Sequence, residues 1–403
     1  MSSQRTPKPV RAYHLIALML LAAFVAQCCW FIASVPLSQL EADQVARGIA
    51  QLRRVALIVE PVSSPLVPLL SVVGILFRLP GDPLLHPNRP TEGLPGTPLD
   101  QFWLDQHRWF IRAPFLLAGA ALALSLWYVA RRLYGTAGGN IALGLFAFSP
   151  GMVAAASLAG PQIFAAWGAH GVIFTAIATA HTLYAPREVI LWNWRRIALL
   201  GISIAFAAGA HWPLLWLLVL AAAFMLWAVP HRRPAALLIL LAGSAVAFVL
   251  LEACYLSDLR ALVRGAMHHS LPVWDPQSLS PRLLARMLLN FFFDAAPAAL
   301  IALGIALPAW CASRRSRFFG NTAPLIVLVF LLAISMLFPQ SGATATLFAT
   351  LPFLMLFIAG VFADLVEGRL QAPAHAVIFA LLAAQAAYSV ASLMRLHSHP
   401  LGP

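Results

Sequence analysis

Two carboxylates, Glu41 and Asp43, follow directly after the first apolar run of this chain. That placement holds them near the level of a membrane surface, where a carboxylate has a chemical use. A base at that depth can take a proton from an attacking hydroxyl or amine. It can reach a lipid-linked substrate whose reacting phosphate lies in the headgroup layer. Basic groups that stabilise a leaving phosphate are the natural complement. Arg112 stands where the chain re-enters an apolar run. Arg260 and Arg264 have i, i+4 helical spacing, so both point the same way. His211 lies at a break between two apolar runs and has a hydrogen bond to offer. Each residue also has a plain structural reading. Asp43 precedes Gln44-Val45-Ala46-Arg47 and suits a helix start. Arg112 suits an interfacial cation whose stem lies in the apolar layer. His211 suits packing or capping, and Arg260 and Arg264 suit a solvated amphipathic helix.

The rest of the chain explains why these residues stand out. Of 403 residues, 61% are hydrophobic and 10% charged, against ~25% charged in soluble domains. This excludes a soluble globular enzyme and a disordered chain. The net charge of +12 does not point to nucleic acid, because the basic residues sit in small groups between apolar runs instead of on one soluble face. The four cysteines have no metal-ligand spacing, and His268-His269 with Asp275 lack further ligands. No Cys-x-x-Cys-His, phosphate-loop or dinucleotide-binding element is present, so no metal and no cofactor are expected.

A helix needs about 20 apolar residues to cross a bilayer. The runs 13–35, 112–133, 138–158, 161–184, 197–211, 213–229, 235–256, 291–311, 322–338, 343–366 and 375–394 give eleven candidate spans. The fold class expected is an all-α polytopic bundle. The fifth and sixth runs are parted at His211-Trp212-Pro213, where Pro removes a donor and disfavours helix in the preceding residue. Arg5, Lys8 and Arg11 precede the first run without a cleavage site, which predicts a retained helix. With that end in the cytoplasm, the pairs 131/132, 195/196, 232/233 and 314/315 also fall inside, as basic clusters prefer. The resulting plan is a cytoplasmic N-terminus (1–12), one transmembrane domain (13–394) and an external tail (395–403). Its two long external loops are 36–111 and 257–290, and they carry ten of the 14 acidic residues, counting Asp294 just beyond. Within the first loop, 39–54 and 65–79 are predicted to be interfacial helices, because the second is too short to span.

The order of short motifs resembles that of the polytopic GT-C glycosyltransferases, most closely the bacterial relatives of the dolichyl-phosphate-mannose protein mannosyltransferases. Asp43-Gln44 matches the acidic pair of the first external loop. Ser64-Pro65-Leu66 matches a Pro-Pro-Leu segment, and Arg112-Ala113-Pro114 the Arg-x-Pro that opens the second span. Arg131-Arg132-Leu133-Tyr134-Gly135 and Ser149-Pro150 match the basic pair with Gly and the Ser-Pro that follow. Three usual polar positions are altered: Gly160-Pro161-Gln162, Ala210-His211-Trp212-Pro213 and Ala343-Thr344-Ala345-Thr346 stand in their places.

The resemblance implies a GT-C bundle that moves a sugar from a polyprenyl-phosphate donor to a glycan, lipid or protein acceptor on the external face of a bacterial inner membrane. It implies Asp43 as base with Glu41 as alternative or helper. It implies Arg112 and His211 on the substrate side, and the i, i+4 spacing of Arg260 and Arg264 adds a basic strip from the second loop as a further substrate-side candidate. The altered positions leave a second class open, a GT-C-shaped accessory subunit without catalysis. A transporter or flippase is a third class. It fits less well, because charges avoid the spans and no repeat is visible.

Overall fold

The computed structural model describes residues 10–52, 64–78, 101–183, 194–255, 258–270, 281–313, 315–338, 343–367 and 371–398. All regular structure among them is helical. In chain order the helices are α1 (Val10–Ser34), α2 (Gln39–Leu52), α3 (Leu66–Arg78), α4 (Gln101–Ala147), α5 (Pro150–Ser157), α6 (Gln162–Thr182), α7 (Trp194–Ala210), α8 (Leu217–Ala228) and α9 (Arg233–Cys254). They continue as α10 (Leu259–Ser270), α11 (Pro281–Ala295), α12 (Pro297–Ala312), α13 (Phe319–Leu337), α14 (Ala343–Glu367) and α15 (Gln371–Ser398). This is a polytopic helical membrane protein.

Seven of the described helices are long and apolar enough to cross a membrane, or eight if the bent pair α11–α12 is one span. The other expected spans are helical but broken or short. The run 138–158 is divided at Ser149-Pro150 into the end of α4 and α5. The runs 197–211 and 213–229 become α7 and, after a 3-10 turn over Trp212–Trp216, α8. The expected span 291–311 is not one helix: α11 and α12 meet at 114°. Ala296 there is pushed out of helical geometry (φ −157, ψ 66) by the ring of Pro297, the usual effect of Pro on the residue before it.

Inside a membrane the helices gain little from leaving water, so close packing of small residues carries the assembly. Gly168 of α6 lies so close to Ala207 of α7 that a Cβ would strike the Ala207 backbone. α14 is the central helix, buried along nearly all of its apolar length against α4, α6, α12 and α13. By contrast α1, α9 and α15 leave most of their apolar surface exposed, as lipid-facing helices do. Within α4 the chain kinks at Gly135, whose φ of 76° is open to glycine and costly for other residues. The Gly of the Arg131–Gly135 motif therefore has a backbone role.

The loop helices α2 and α3 pack on each other and sit over one end of the bundle. Three contacts fix them. Gly74 of α3 lies against the Phe110 carbonyl of α4, so any side chain there would collide with backbone. The Ser64 hydroxyl donates to the Ala210 carbonyl at the end of α7 (2.6 Å). The Gln51 amide donates to the Cys254 carbonyl at the end of α9. The C-terminal ends of α1, α5, α7 and α9 thus gather with the membrane entry of α4 around the first loop. α10 joins the same end, its Gly265 packed on Tyr255 and Trp212.

Candidate functional site

The residues of the first loop are organised by a buried ion pair. Arg112 is fully buried and Glu41 is 3% exposed. The guanidinium approaches the carboxylate as a fork: Nε donates to Oε1 at 2.8 Å and Nη2 to Oε2 at 2.7 Å. Such bidentate pairs are among the strongest polar contacts in proteins. The remaining capacity of both groups is used nearby. Arg112 Nη1 donates to the Val35 carbonyl at 2.7 Å and Nη2 to the Pro36 carbonyl at 2.9 Å. Glu41 accepts the Ser38 amide and hydroxyl at Oε2 (3.0 and 3.1 Å) and the Ala159 amide at Oε1 (2.9 Å). Ser38 is the residue before α2, so this is also the reciprocal capping arrangement of a helix start.

The pair therefore ties together the end of α1, the start of α2, the membrane entry of α4 and the connection between α5 and α6. Its two members reach each other across 71 positions of chain. A carboxylate that accepts five donors has no lone pair left for a substrate proton, and four of the five Arg112 N–H groups are spent on the protein. In this geometry Glu41 and Arg112 act as a structural clamp. The expected helper base and phosphate partner are occupied with each other.

The electrostatics of Glu41 follow. Burial alone pushes its carboxyl up. The hydrogen bonds and charge of Arg112, with the Ser38 and Ala159 amides, outweigh burial and hold it below its ordinary value. A depressed carboxylate stabilises the fold at pH above its unfolded value, about 4.3. That contribution is lost as pH falls through the folded value. Acid should therefore release the first loop. The melting temperature in detergent should drop on going from neutral pH to below the ordinary carboxylate range. A Glu41→Gln variant should be less stable at neutral pH and show a smaller drop. An equal drop in both proteins would show that other carboxylates govern the acid transition.

Asp43 stands half a turn beyond Glu41, on the other face of α2. It is exposed, and one of its oxygens accepts from the Gln39 amide at 3.3 Å. The two acids thus separate by face: Glu41 points into the bundle and Asp43 away from it. His211 is 3% exposed. It sits in extended geometry before the 3-10 turn, its side chain does not cap that turn, and its Nε2 has no hydrogen-bond partner. Arg260 and Arg264 lie on the exposed face of α10, whose opposite face buries Ala261, Leu262 and Gly265. The structure joins Glu41 with Arg112. It leaves Asp43, Arg260 and Arg264 as exposed groups on loop helices at the same end.

One further acidic residue belongs in the same region. Asp105 follows a Pro- and Gly-rich stretch, and its neighbourhood reads as a loop extending from the membrane. It lies instead on α4, seven residues and about two turns before Arg112. It is half-buried, and its Oδ1 is buried without a hydrogen-bond partner, as is the Oε1 of Gln44. The apolar spacing Leu104, Ile111, Phe115 carried the signal, since these positions form one buried helix face. Among the described residues no group of His, Cys, Asp and Glu could hold a metal ion.

No family model matches this sequence, and no curated protein does. Among solved structures, the chain is similar to the archaeal oligosaccharyltransferase AglB from Archaeoglobus fulgidus, determined in complex with an inhibitory peptide and a dolichol-phosphate. The identity is 12% and the TM-score 0.48, and the alignment covers 96% of this chain and 56% of that one. The chain spans about half the length of that protein.

Proposed function

We propose that this protein is a GT-C-type membrane glycosyltransferase. It moves a sugar from a polyprenyl-phosphate donor to an acceptor on the external face of a bacterial inner membrane, its N-terminus being cytoplasmic. The single observation that carries the reading is the clamp. Glu41 and Arg112 fix the first turn of α2 to three other parts of the chain, and Asp43 extends from that turn. A base in group transfer needs a fixed position, and the clamp supplies one. In this reading Asp43 takes the proton of the acceptor hydroxyl or amine as it attacks the anomeric carbon. The donor phosphate leaves on its lipid, with Arg260 and Arg264 of α10 as its basic partners, and His211 and Asp105 as further polar groups at that end. The motif order from Asp43 to Ser149-Pro150 supports the same assignment. The test is release of polyprenyl phosphate from a lipid-linked sugar by purified protein. Failure with every acceptor class offered would overturn the reading.

One observation favours a second reading. The polar groups best placed at the membrane entry, Glu41 and Arg112, are consumed in holding the fold. A GT-C-shaped accessory subunit would keep that clamp and need no base. Polyprenyl-phosphate release separates the two.

The orientation can be tested apart from activity. Single cysteines at Pro95 and Asp275, in a background with exposed Cys311 replaced by serine, should react with a membrane-impermeant reagent from outside the cell. Protection of both sites, with a known external control labelled, would place both loops inside.

A further inference from the structure

The corner between α11 and α12 has the makings of a second site, independent of the proposed reaction. The chain turns 114° there. With apolar α12 in the bilayer, α11 runs along the membrane surface. Its composition agrees, with Arg282, Arg286, Leu289 and Phe293 all exposed, as in helices that lie in an interface. The corner, and Asp294 just before it, then stand at headgroup depth. α5 pins this corner. The Ser149 hydroxyl donates to the Ala295 carbonyl at 2.7 Å, and Gly151 lies so close to Ala295 that a Cβ would meet it.

Beside the corner is a cavity of about 290 Å³ between α1, α5, α11, α14 and α15. Phe31, Phe291 and Phe348 are among its walls, and Asp294, Ser389 and Ser392 are its polar lining. Phe291 and Phe348 meet edge to face at 5.2 Å. Asp294 is the one charged group among the described lining residues, in a chain whose net charge is +12. A carboxylate beside aromatic rings and hydroxyl oxygens is the chemistry that recognises an ammonium group, by charge, by cation–π attraction and by accepting N–H bonds. An anion would meet only repulsion from Asp294. The volume lies at the lower edge of ligand pockets, roughly 300–1,000 Å³, and suits a head group more than a whole ligand. Two of the flanking helices, α1 and α15, are among the least buried spans. They expose Trp30, Val390 and Met394 next to the cavity-lining residues in sequence, which offers acyl chains an apolar surface. The geometry points to a binding site for the primary ammonium head group of a zwitterionic membrane lipid, seated on Asp294.

The test is a lipid titration of the purified full chain in detergent, read by native mass spectrometry. The probes are phosphatidylethanolamine, phosphatidylglycerol with the same acyl chains, and water-soluble glycerophosphoethanolamine. The wild type should retain phosphatidylethanolamine in preference to phosphatidylglycerol. Asp294→Asn, at an exposed position, should weaken that binding about tenfold and leave phosphatidylglycerol unchanged. Ser392→Phe should abolish it by filling the cavity. The melting temperature of each variant checks folding, and if Ser392→Phe misfolds the Asp294 variant decides. Equal binding of both lipids by the wild type, or unchanged phosphatidylethanolamine binding by Asp294→Asn, would overturn the proposal. Binding of the soluble head group as tight as that of the lipid would also overturn it, in favour of a free-amine site.

Discussion

Replacing Arg112 by methionine should destabilise the protein by about 3–5 kcal/mol, the usual cost of leaving one member of a buried ion pair without the other. The loss has two physical parts. Glu41 would keep its charge at 3% exposure with no counter-ion. The Val35 and Pro36 carbonyls would each lose the donor they have now, and an unsatisfied buried carbonyl costs ~1–3 kcal/mol. Glu41→Gln should cost less, because the single glutamine oxygen can still accept the donors of one side, Ala159 N with Arg112 Nε or Ser38 N with Arg112 Nη2. Arg112→Lys should fall between wild type and methionine, since it keeps the charge and loses the planar fork. The double variant Glu41→Gln with Arg112→Met should be less damaged than the sum of its parts by more than ~0.5 kcal/mol, the limit for independent sites. Thermal unfolding in detergent measures all four. Strict additivity would show that the pair does not hold the first loop.

Asp43→Asn should do the opposite. Asp43 is exposed and its charge is partnered in the structure by one glutamine amide, so stability should change by no more than about 0.5 kcal/mol. On the proposed reaction, the transfer rate should fall by ~10²–10⁴, the contribution of a general base. Asparagine keeps the shape and the bond to Gln39 and cannot take a proton. The two adjacent acids would then divide cleanly: Glu41 variants lose fold, and Asp43 variants lose rate. Full activity in Asp43→Asn would reduce Asp43 to a helix-start acid and make Asp105 the next residue to test.

How far these features could be read from sequence depends on how local their causes are. The break before α8 was legible because Pro213 acts on its own neighbour. The same rule applied at Pro297, yet there the apolar run continues on both sides, and hydropathy masked a corner that backbone sterics impose. The helices of the first loop were legible from the length of the apolar segment and the polar content of the stretch before it. The partnership of Glu41 with Arg112 was not, because it joins residues 71 positions apart and nothing in either neighbourhood marks the other. In the sequence Ser149-Pro150 reads as lying within one continuous span, whereas Ser149 caps α5 and divides that span. Its second bond, to Ala295, lies 146 positions away. Asp105 was passed over because composition upstream of it signals a loop, while its own apolar neighbours follow a helical period.

The central position of α14 has a consequence for biogenesis. A ribosome delivers the chain from the N-terminus, and α14 emerges after all four of the helices α4, α6, α12 and α13 that pack on it. Until residue 343 has left the translocon, α4, α6, α12 and α13 have an unfilled axis between them. Insertion and assembly are then separate events, as in two-stage membrane folding. The earlier helices enter the bilayer one by one, and the bundle closes around its core only once α14 has joined them. A chain truncated before α14 would be inserted yet unable to pack, with faces such as that of Phe174, which stacks on Phe353 of α14, open to lipid and to whatever quality-control protease patrols the membrane.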